Sequence, residues 1–144
     1  MSEDRVLRLE RVFSATPDKV YAAWTTPDTL AKWWGPEGTT MASHSFDASE
    51  GGNYRATMRV PDGSEHTVTG VFRELVPNRR VVLTWAWEQE GKRGHETEIR
   101  VDLEPKGDGT LMRFEQSVFA DTDQRDKHNQ GWTSTFNRLD TIVN

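Results

Sequence analysis

The feature that most constrains the fold of this chain is an alternation of polar and apolar residues that begins after Gly38 and continues for about eighty residues. A period of two is typical of strands that bury one face, since successive side chains of a strand point to opposite sides of the sheet. Clusters of Gly, Pro, Asn and Asp interrupt the alternation and predict turns. They separate six predicted strands, at residues 40–49, 52–60, 65–76, 80–88, 95–104 and 110–119. Because the turns are short, the strands should pair as an antiparallel meander.

Three of these predicted strands have one clearly apolar face. The residues on those faces are Tyr54, Ala56, Met58 and Val60, then Val81, Leu83, Trp85 and Trp87, and finally Thr97, Ile99, Val101 and Leu103. Between residues 65 and 76 apolar residues occur on both sides, so the inward face of that strand stays open. The polar stretch 89–94 predicts one of the turns.

The residues before the meander predict one strand and two short helices. Residues 5–13 alternate like a half-buried strand, but Arg11 shares its apolar side. The tripeptide Thr-Pro-Asp occurs at 16–18 and again at 26–28. It is typical of a helix start, because Thr can cap the helix and Pro suits its first position. The second helix should end at Gly35, which Pro36 follows.

A long helix is predicted at the C-terminal end of the sequence. Residues 121–123, Asp-Thr-Asp, can cap it, and an apolar stripe recurs at helical spacing. The stripe consists of Trp132, Phe136, Leu139 and either Ile142 or Val143, with His128 on the same side. The whole order, strand, two short helices, six strands and long helix, predicts a single α+β domain spanning residues 1–144. The apolar helix stripe and the apolar sheet face should cover each other.

Composition and charge narrow the class of protein. The formal net charge is -5 and the sequence pI is about 5.4, without a stripe of basic residues, so we expect no nucleic-acid partner. The chain has no cysteine, which excludes disulfides and thiolate chemistry. No apolar stretch reaches the roughly 20 residues of a membrane span, and the charged N-terminus does not look like a signal peptide, so a cytoplasmic location is predicted. The scattered histidines and the lack of a phosphate-binding motif predict neither metal nor cofactor.

Short motifs along the chain resemble a known family. They are Arg11-Val12-Phe13, Val20-Tyr21-Ala22-Ala23-Trp24-Thr25, Trp33-Trp34-Gly35-Pro36, Gly51-Gly52, Met58, Pro61-Asp62-Gly63, Gly70, Glu74, Trp85 and Gly131-Trp132. With them the chain resembles the START-like (SRPBCC) superfamily, and within it bacterial proteins similar to the C-terminal domain of the activator of heat-shock-protein-90 ATPase. The resemblance implies a helix-grip fold, in which a curved antiparallel sheet wraps the C-terminal helix and leaves a cavity between them. It leaves function open, because the superfamily includes lipid carriers, cyclases, hydrolases and co-chaperones.

The implied cavity should be lined mainly by aromatic and apolar residues of the sheet and the helices. The predicted ligand-binding residues are Trp33, Trp34, Tyr54, Met58, Phe72, Trp85, Trp87, Met112, Phe114, Gln116, His128 and Trp132. Neighbouring residues on a helix diverge by roughly 100°. One of the adjacent indoles at positions 33 and 34 would then face the cavity mouth while the other packs on the sheet; alternatively, both belong to the core.

Three polar residues on inward faces carry alternative interpretations. His128 is either a polar group aimed into the cavity or a neutral, hydrogen-bonded histidine near the rim. Arg11 is either an anchor for an anionic ligand head group or half of an ion pair, with Glu74 or Asp47 as its carboxylate. Gln116 is either a hydrogen-bonding partner of a ligand or a partner of the histidine on the facing helix.

Three functions follow as hypotheses. The favoured one is a binding protein for a small hydrophobic molecule, because no catalytic set is recognisable. The second is an enzyme of the cyclase or hydrolase type, with His128 and an inward carboxylate as acid and base and with Arg11 or Tyr54 polarising a carbonyl. The third is a co-chaperone, although we expect this chain to lack the additional N-terminal domain of the eukaryotic activators. An exposed edge strand permits either a monomer or a weak homodimer.

Overall fold

The computed structural model describes residues 5–143, which form one seven-stranded antiparallel sheet and three helices. The strands are β1 Leu7–Phe13, β2 Thr40–Phe46, β3 Asn53–Arg59, β4 Glu65–Val76, β5 Arg80–Gln89, β6 Lys92–Lys106 and β7 Gly109–Ser117. The helices are α1 Pro17–Thr25, α2 Pro27–Trp33 and α3 Thr122–Val143. Strands β2 to β7 follow one another in the sheet, and β1 pairs with β7, so β1 and β2 are the two edges. The predicted α+β order and the antiparallel meander are confirmed.

The turn predicted over residues 89–94 was too long. Glu90 and Gly91 form a two-residue turn with positive φ at both positions, 54° and 77°, and β6 already begins at Lys92. Two positive φ angles give the turn a twist that matches its strands, so pairing continues to the tip of the hairpin. Polar residues can continue these strands because both of their faces are exposed there.

A β-bulge explains why β4 shows apolar residues on both sides. The register of β4 against β5 shifts by one residue between Phe72 and Glu74. Val68 and Phe72 face inward before the shift, and Leu75 packs against the core after it. The extra residue of the bulge therefore moves the inward set from even to odd positions.

The start of each helix follows the predicted pattern only in part. Proline occupies the first turn of α1 and of α2, but neither Thr16 nor Thr26 caps its helix through its side chain. The Thr16 hydroxyl donates to the carboxylate of Asp18 instead. At α3, Asp121 Oδ1 accepts a hydrogen bond of 2.8 Å from the Gln124 N–H, as a capping residue does.

The C-terminal part of α3 covers the apolar face of the sheet, as expected for the helix-grip fold. Its buried residues are Trp132, Thr135, Phe136 and Leu139. Phe114 of β7 lies 4.7 Å from the ring of Trp132 and 5.2 Å from the ring of Phe136. Helices α1 and α2 close the core beside α3.

Candidate ligand-binding cleft

A cleft of about 420 Å³ opens between the N-terminal half of α3 and the ends of β3, β4 and β5. Its residues are Gly35, Pro36, Met58, Val60, His66, Trp85, Trp87, Glu88, Gln89, Gln124, Lys127, His128, Gly131, Trp132 and Thr135. The volume lies in the range of small-molecule sites, about 300–1,000 Å³. The cleft combines an apolar wall with a polar rim.

The cleft exists because α3 covers the sheet over only part of its length. All buried residues of α3 lie from Trp132 onward, and residues 122–131 include none. The sequence explains this difference, since residues 122–131 are TDQRDKHNQG, without an apolar side chain. A polar half-helix cannot pack tightly on the sheet, so part of the apolar sheet face remains accessible.

Three indoles form the apolar wall of the cleft. The ring of Trp85 lies 5.4 Å from that of Trp87, edge to face, and 5.1 Å from that of Trp132. Behind them, Trp34 stacks on Trp85 at 5.5 Å. Such ring pairs stabilise each other by about 0.5–1.5 kcal/mol beyond burial alone. The wall is therefore held in shape by its own aromatic contacts.

A buried chain of hydrogen bonds fixes the orientation of Trp132. Its Nε1–H donates to Gln116 Oε1 at 2.8 Å, and Gln116 Nε2–H donates to the Thr97 hydroxyl at 2.8 Å. The Thr97 hydroxyl in turn donates to the backbone carbonyl of Trp85 at 3.1 Å. Gln116 is fully buried and does not line the cleft. Its side-chain partners are Trp132 and Thr97 and not the facing histidine, so Gln116 holds an indole of the wall in place.

His128 lies on the rim with both ring nitrogens engaged. The Trp87 indole N–H donates to His128 Nε2 at 3.0 Å, and His128 Nδ1 lies 2.7 Å from the carbonyl oxygen of Gln124. An indole N–H can only donate and a carbonyl can only accept, so this arrangement requires the neutral imidazole with its proton on Nδ1. Burial lowers the pKa of His128, and the bond to Gln124 acts in the opposite direction. The acid–base hypothesis required a carboxylate beside His128, but its two nitrogens are paired with an indole N–H and a backbone carbonyl instead.

The stability of the protein should decrease as pH falls below about 6.5, the ordinary pKa of histidine. Because the pKa of His128 is lowered in the folded state, the unfolded chain takes up a proton first, and acid favours unfolding. His128→Gln keeps a side-chain acceptor without a titratable group. We expect urea denaturation between pH 8 and pH 5 to show a smaller loss of stability in this variant than in the wild type. His44→Gln, at an exposed position of β2, is the control, and equal pH dependence of His128→Gln and wild type would contradict this reasoning.

Arg11 contacts α3 and not the carboxylates proposed from the sequence. Its Nη1 donates to Asn137 Oδ1 at 2.8 Å, and its Nη2 lies 3.6 Å from Asp140 Oδ2. Glu74 pairs instead with Arg80, at 3.1 Å. Arg11 does not line the cleft, and it ties the edge strand β1 to the last helix.

The twelve predicted ligand-binding residues divide into two groups. Met58, Trp85, Trp87, His128 and Trp132 line the cleft. Trp33, Trp34, Tyr54, Phe72, Met112, Phe114 and Gln116 are buried elsewhere in the core. The pattern of alternation identifies an inward face, but it does not distinguish the part of that face that α3 leaves uncovered.

The adjacent indoles of Trp33, the last residue of α2, and Trp34, its C-cap, both belong to the core. Trp33 is fully buried and donates its Nε1–H to the carbonyl of Ala23 at 3.0 Å, while Trp34 packs behind the cleft wall. The chain then turns at Gly35, whose φ is 91°. A Cβ atom there would lie 2.8 Å from a methyl carbon of Thr39, so glycine is required both for conformation and for space.

Tyr54 is unsuited to the role of polarising a carbonyl. Its hydroxyl donates to the backbone carbonyl of Thr84, and burial raises its pKa well above the ordinary value. The hydroxyl is thus a structural donor inside the sheet.

Arg138, which the sequence reasoning missed, holds one wall of the cleft. Its Nη1 donates to the carbonyl oxygens of Trp34 and Gly35 at 3.0 Å each and to that of Pro36 at 3.3 Å, and its Nη2 donates to that of Lys32 at 2.7 Å. Helix ends leave carbonyl oxygens without partners, and this guanidinium satisfies that of Lys32 in the last turn of α2 together with those of the loop that follows. It lies next to the apolar stripe of α3, between Asn137 and Leu139, and only the three-dimensional packing reveals its partners.

Lys127 and Gly131 on α3, and His66 on β4, also line the cleft without having been predicted to do so. For Lys127 and Gly131 the only signal in the sequence is their position one residue before His128 and one residue before Trp132.

Within residues 5–143, no three His, Asp or Glu side chains lie close enough together to hold a metal ion. None of the helices in this part of the chain is long and apolar enough to cross a membrane.

Comparison with known proteins identifies the family. The family model described as "Activator of Hsp90 ATPase homolog 1-like protein" matches residues 14–144. The chain belongs to this family. A crystal structure of a Chromobacterium violaceum protein is 30% identical, covers 96% of each chain and superposes with a TM-score of 0.88. A family member from Silicibacter pomeroyi is 28% identical over 94% of this chain and 95% of its own, with a TM-score of 0.86.

The family relation extends to two curated mammalian proteins. The human and mouse proteins named activator of 90 kDa heat shock protein ATPase homolog 1 are each 24% identical over 127 residues. The aligned region is 88% of this chain but only 33% of either relative. The chain thus spans about a third of the length of these activators. Together with the solved structures, the match confirms the predicted family and its helix-grip fold.

Proposed function

We propose that this family member binds a small hydrophobic molecule in the cleft between α3 and the sheet. The observation that carries the proposal is the wall of three indoles, Trp85, Trp87 and Trp132, in a cleft of about 420 Å³. Small-molecule sites typically combine apolar and aromatic walls with a few oriented polar groups. Here the polar groups are His128, which is fixed by Trp87, and the residues of the rim.

Calorimetric titration with a panel of naphthalene derivatives tests the proposal. Gly131 lines the cleft, and a Cβ atom on it would lie 3.8 Å from Pro36 Cγ, an ordinary contact. Gly131→Ala should therefore leave binding within about twofold of wild type, whereas Gly131→Leu fills the space between α3 and Pro36. We expect saturable binding that the leucine variant weakens at least about tenfold, or about 1.4 kcal/mol. No saturable binding of any derivative, or equal binding by the leucine variant, would contradict a ligand cleft.

A second candidate function is stimulation of a chaperone ATPase of the heat-shock-protein-90 type. The family description and the two mammalian activators favour it, although they extend well beyond the region matched here. A pull-down with such a chaperone and an ATPase assay test the candidate. Saturable stimulation would support it, and an unchanged ATPase rate at saturating protein would contradict it.

Cytoplasmic location and a monomeric or weakly dimeric state remain predictions from the sequence.

A further inference from the structure

The charges at the rim of the cleft are not balanced. Lys127 and Glu88 are the formally charged residues that line it. Glu88 accepts hydrogen bonds from Arg55 at 3.0 and 3.4 Å, so its charge is already compensated. Lys127 has no ion-pair partner within residues 5–143. An ammonium group at the rim of the indole wall is therefore available to a ligand.

The indole N–H groups of the wall are paired or buried, which leaves Lys127 as the exposed charged donor at this rim. The indole N–H groups of Trp87 and Trp132 already donate to His128 and Gln116. The Nε1–H of Trp85 is buried and has no acceptor in the described part of the chain. A lysine ammonium donates and cannot accept, so a ligand beside Lys127 needs a hydrogen-bond acceptor.

We propose that the cleft prefers planar aromatic anions, with the rings against Trp85, Trp87 and Trp132 and the acidic group beside Lys127. This inference rests on the proposed function, because it assigns a ligand class to the same cleft. Flat rings match an indole wall, since aromatic pairs pack edge to face or offset at 4.5–7 Å. A carboxylate at the rim remains partly hydrated and accepts hydrogen bonds from the ammonium.

An aromatic wall can also attract cations, which bind over the faces of indole rings. That arrangement fits this rim less well, because Lys127 repels a cation and Glu88 is committed to Arg55. Asp123 lies one turn before Lys127 on α3 and reduces the local positive potential. The preference for anions is therefore expected to be moderate.

Three probes with the same ring system separate these possibilities. They are naphthalene-2-carboxylate, 2-naphthalenemethanol and 2-naphthylmethylammonium, titrated by calorimetry near pH 8, where histidine is mostly neutral. We expect the carboxylate to bind about three- to fivefold more tightly than the alcohol at low salt, as for an exposed ion pair. The ammonium compound should bind most weakly. The preference should diminish at high salt, since the Debye length falls from about 30 Å at 0.01 M to about 3 Å at 1 M.

Variants of Lys127 show whether this residue causes the preference. Lys127→Met keeps an unbranched side chain without the charge and should equalise the carboxylate and the alcohol, while Lys127→Arg should retain the preference. Lys92→Met, at the start of β6 and outside the cleft, removes the same charge from the protein and should have no effect.

The outcomes distinguish this inference from the function on which it rests. Equal binding of carboxylate and alcohol, or a preference that survives Lys127→Met, would overturn the anion assignment while leaving the ligand cleft supported. Tightest binding of the ammonium compound would overturn it in favour of a cation site. Failure of all three probes to bind would contradict the cleft itself.

Discussion

Replacing Gly70 by alanine is expected to lower the free energy of unfolding by about 3 kcal/mol. A Cβ atom at this position would lie 2.0 Å from the carbonyl oxygen of Thr84 and 2.5 Å from Cε2 of Tyr54. Tyr54 is opposite Gly70 in the register of β3 and β4, and its hydroxyl donates to the same carbonyl. The added methyl group can be accommodated only if a strand and a buried ring both move. Urea denaturation measures the effect.

Gly131→Ala is the matched control for this substitution. Gly131 lies inside α3, and the nearest atom that its Cβ would meet is Pro36 Cγ at 3.8 Å. Alanine is favoured over glycine in a helix interior by about 0.8–1.0 kcal/mol, so this variant should be more stable than the wild type. Similar stabilities for Gly70→Ala and Gly131→Ala would contradict the close packing of Tyr54 over Gly70.

Arg138→Met is expected to lower the free energy of unfolding by about 2–3 kcal/mol, because hydrogen bonds that involve a charged group contribute about 1.5–3 kcal/mol. The substitution removes the Arg138 donor from the carbonyl oxygens of Lys32, Trp34 and Gly35, whereas the carbonyl of Pro36 still accepts from the Thr39 N–H at 3.0 Å. Methionine retains most of the apolar stem, so the loss reports mainly on the guanidinium. Because residues 35 and 36 line the cleft, binding of a naphthalene probe should weaken as well.

An exposed arginine provides the comparison for Arg138. Arg8 pairs with Glu115 on the outer face of the sheet, with exposed side-chain fractions of 61% and 42%. Arg8→Met should change stability by about 1 kcal/mol or less. If Arg138→Met proved as mild as Arg8→Met, the carbonyl contacts would not stabilise the loop after α2.

Much of the fold could be predicted from the sequence because it depends on local patterns. Alternation identified the strands, Thr-Pro-Asp marked the starts of α1 and α2, and helical spacing placed the buried face of α3. The bulge in β4 and the short turn at Glu90 and Gly91 were harder, because a single residue with an unusual backbone conformation changes the phase or the length of a strand.

The candidate site was less predictable because it depends on where packing fails. Phe114 and Trp85 occupy equivalent inward positions in their strands, yet only Trp85 lies beneath the polar half of α3 and lines the cleft. Arg11 and Arg138 both find partners more than a hundred residues away in sequence. Such long-range partners leave no trace in a local pattern.

The most direct test of a ligand cleft is an amide proton–nitrogen NMR titration with naphthalene-2-carboxylate and 2-naphthalenemethanol, in which each of the six indole N–H groups reports separately. We expect saturable shifts for Trp85, Trp87 and Trp132, whose rings form the wall of the cleft. The signal of Trp33, which is fully buried and packs against Trp24 and Trp34 behind the wall, should stay within experimental error. A well-dispersed spectrum in which no indole signal moves, or in which only Trp33 responds, would contradict binding in this cleft.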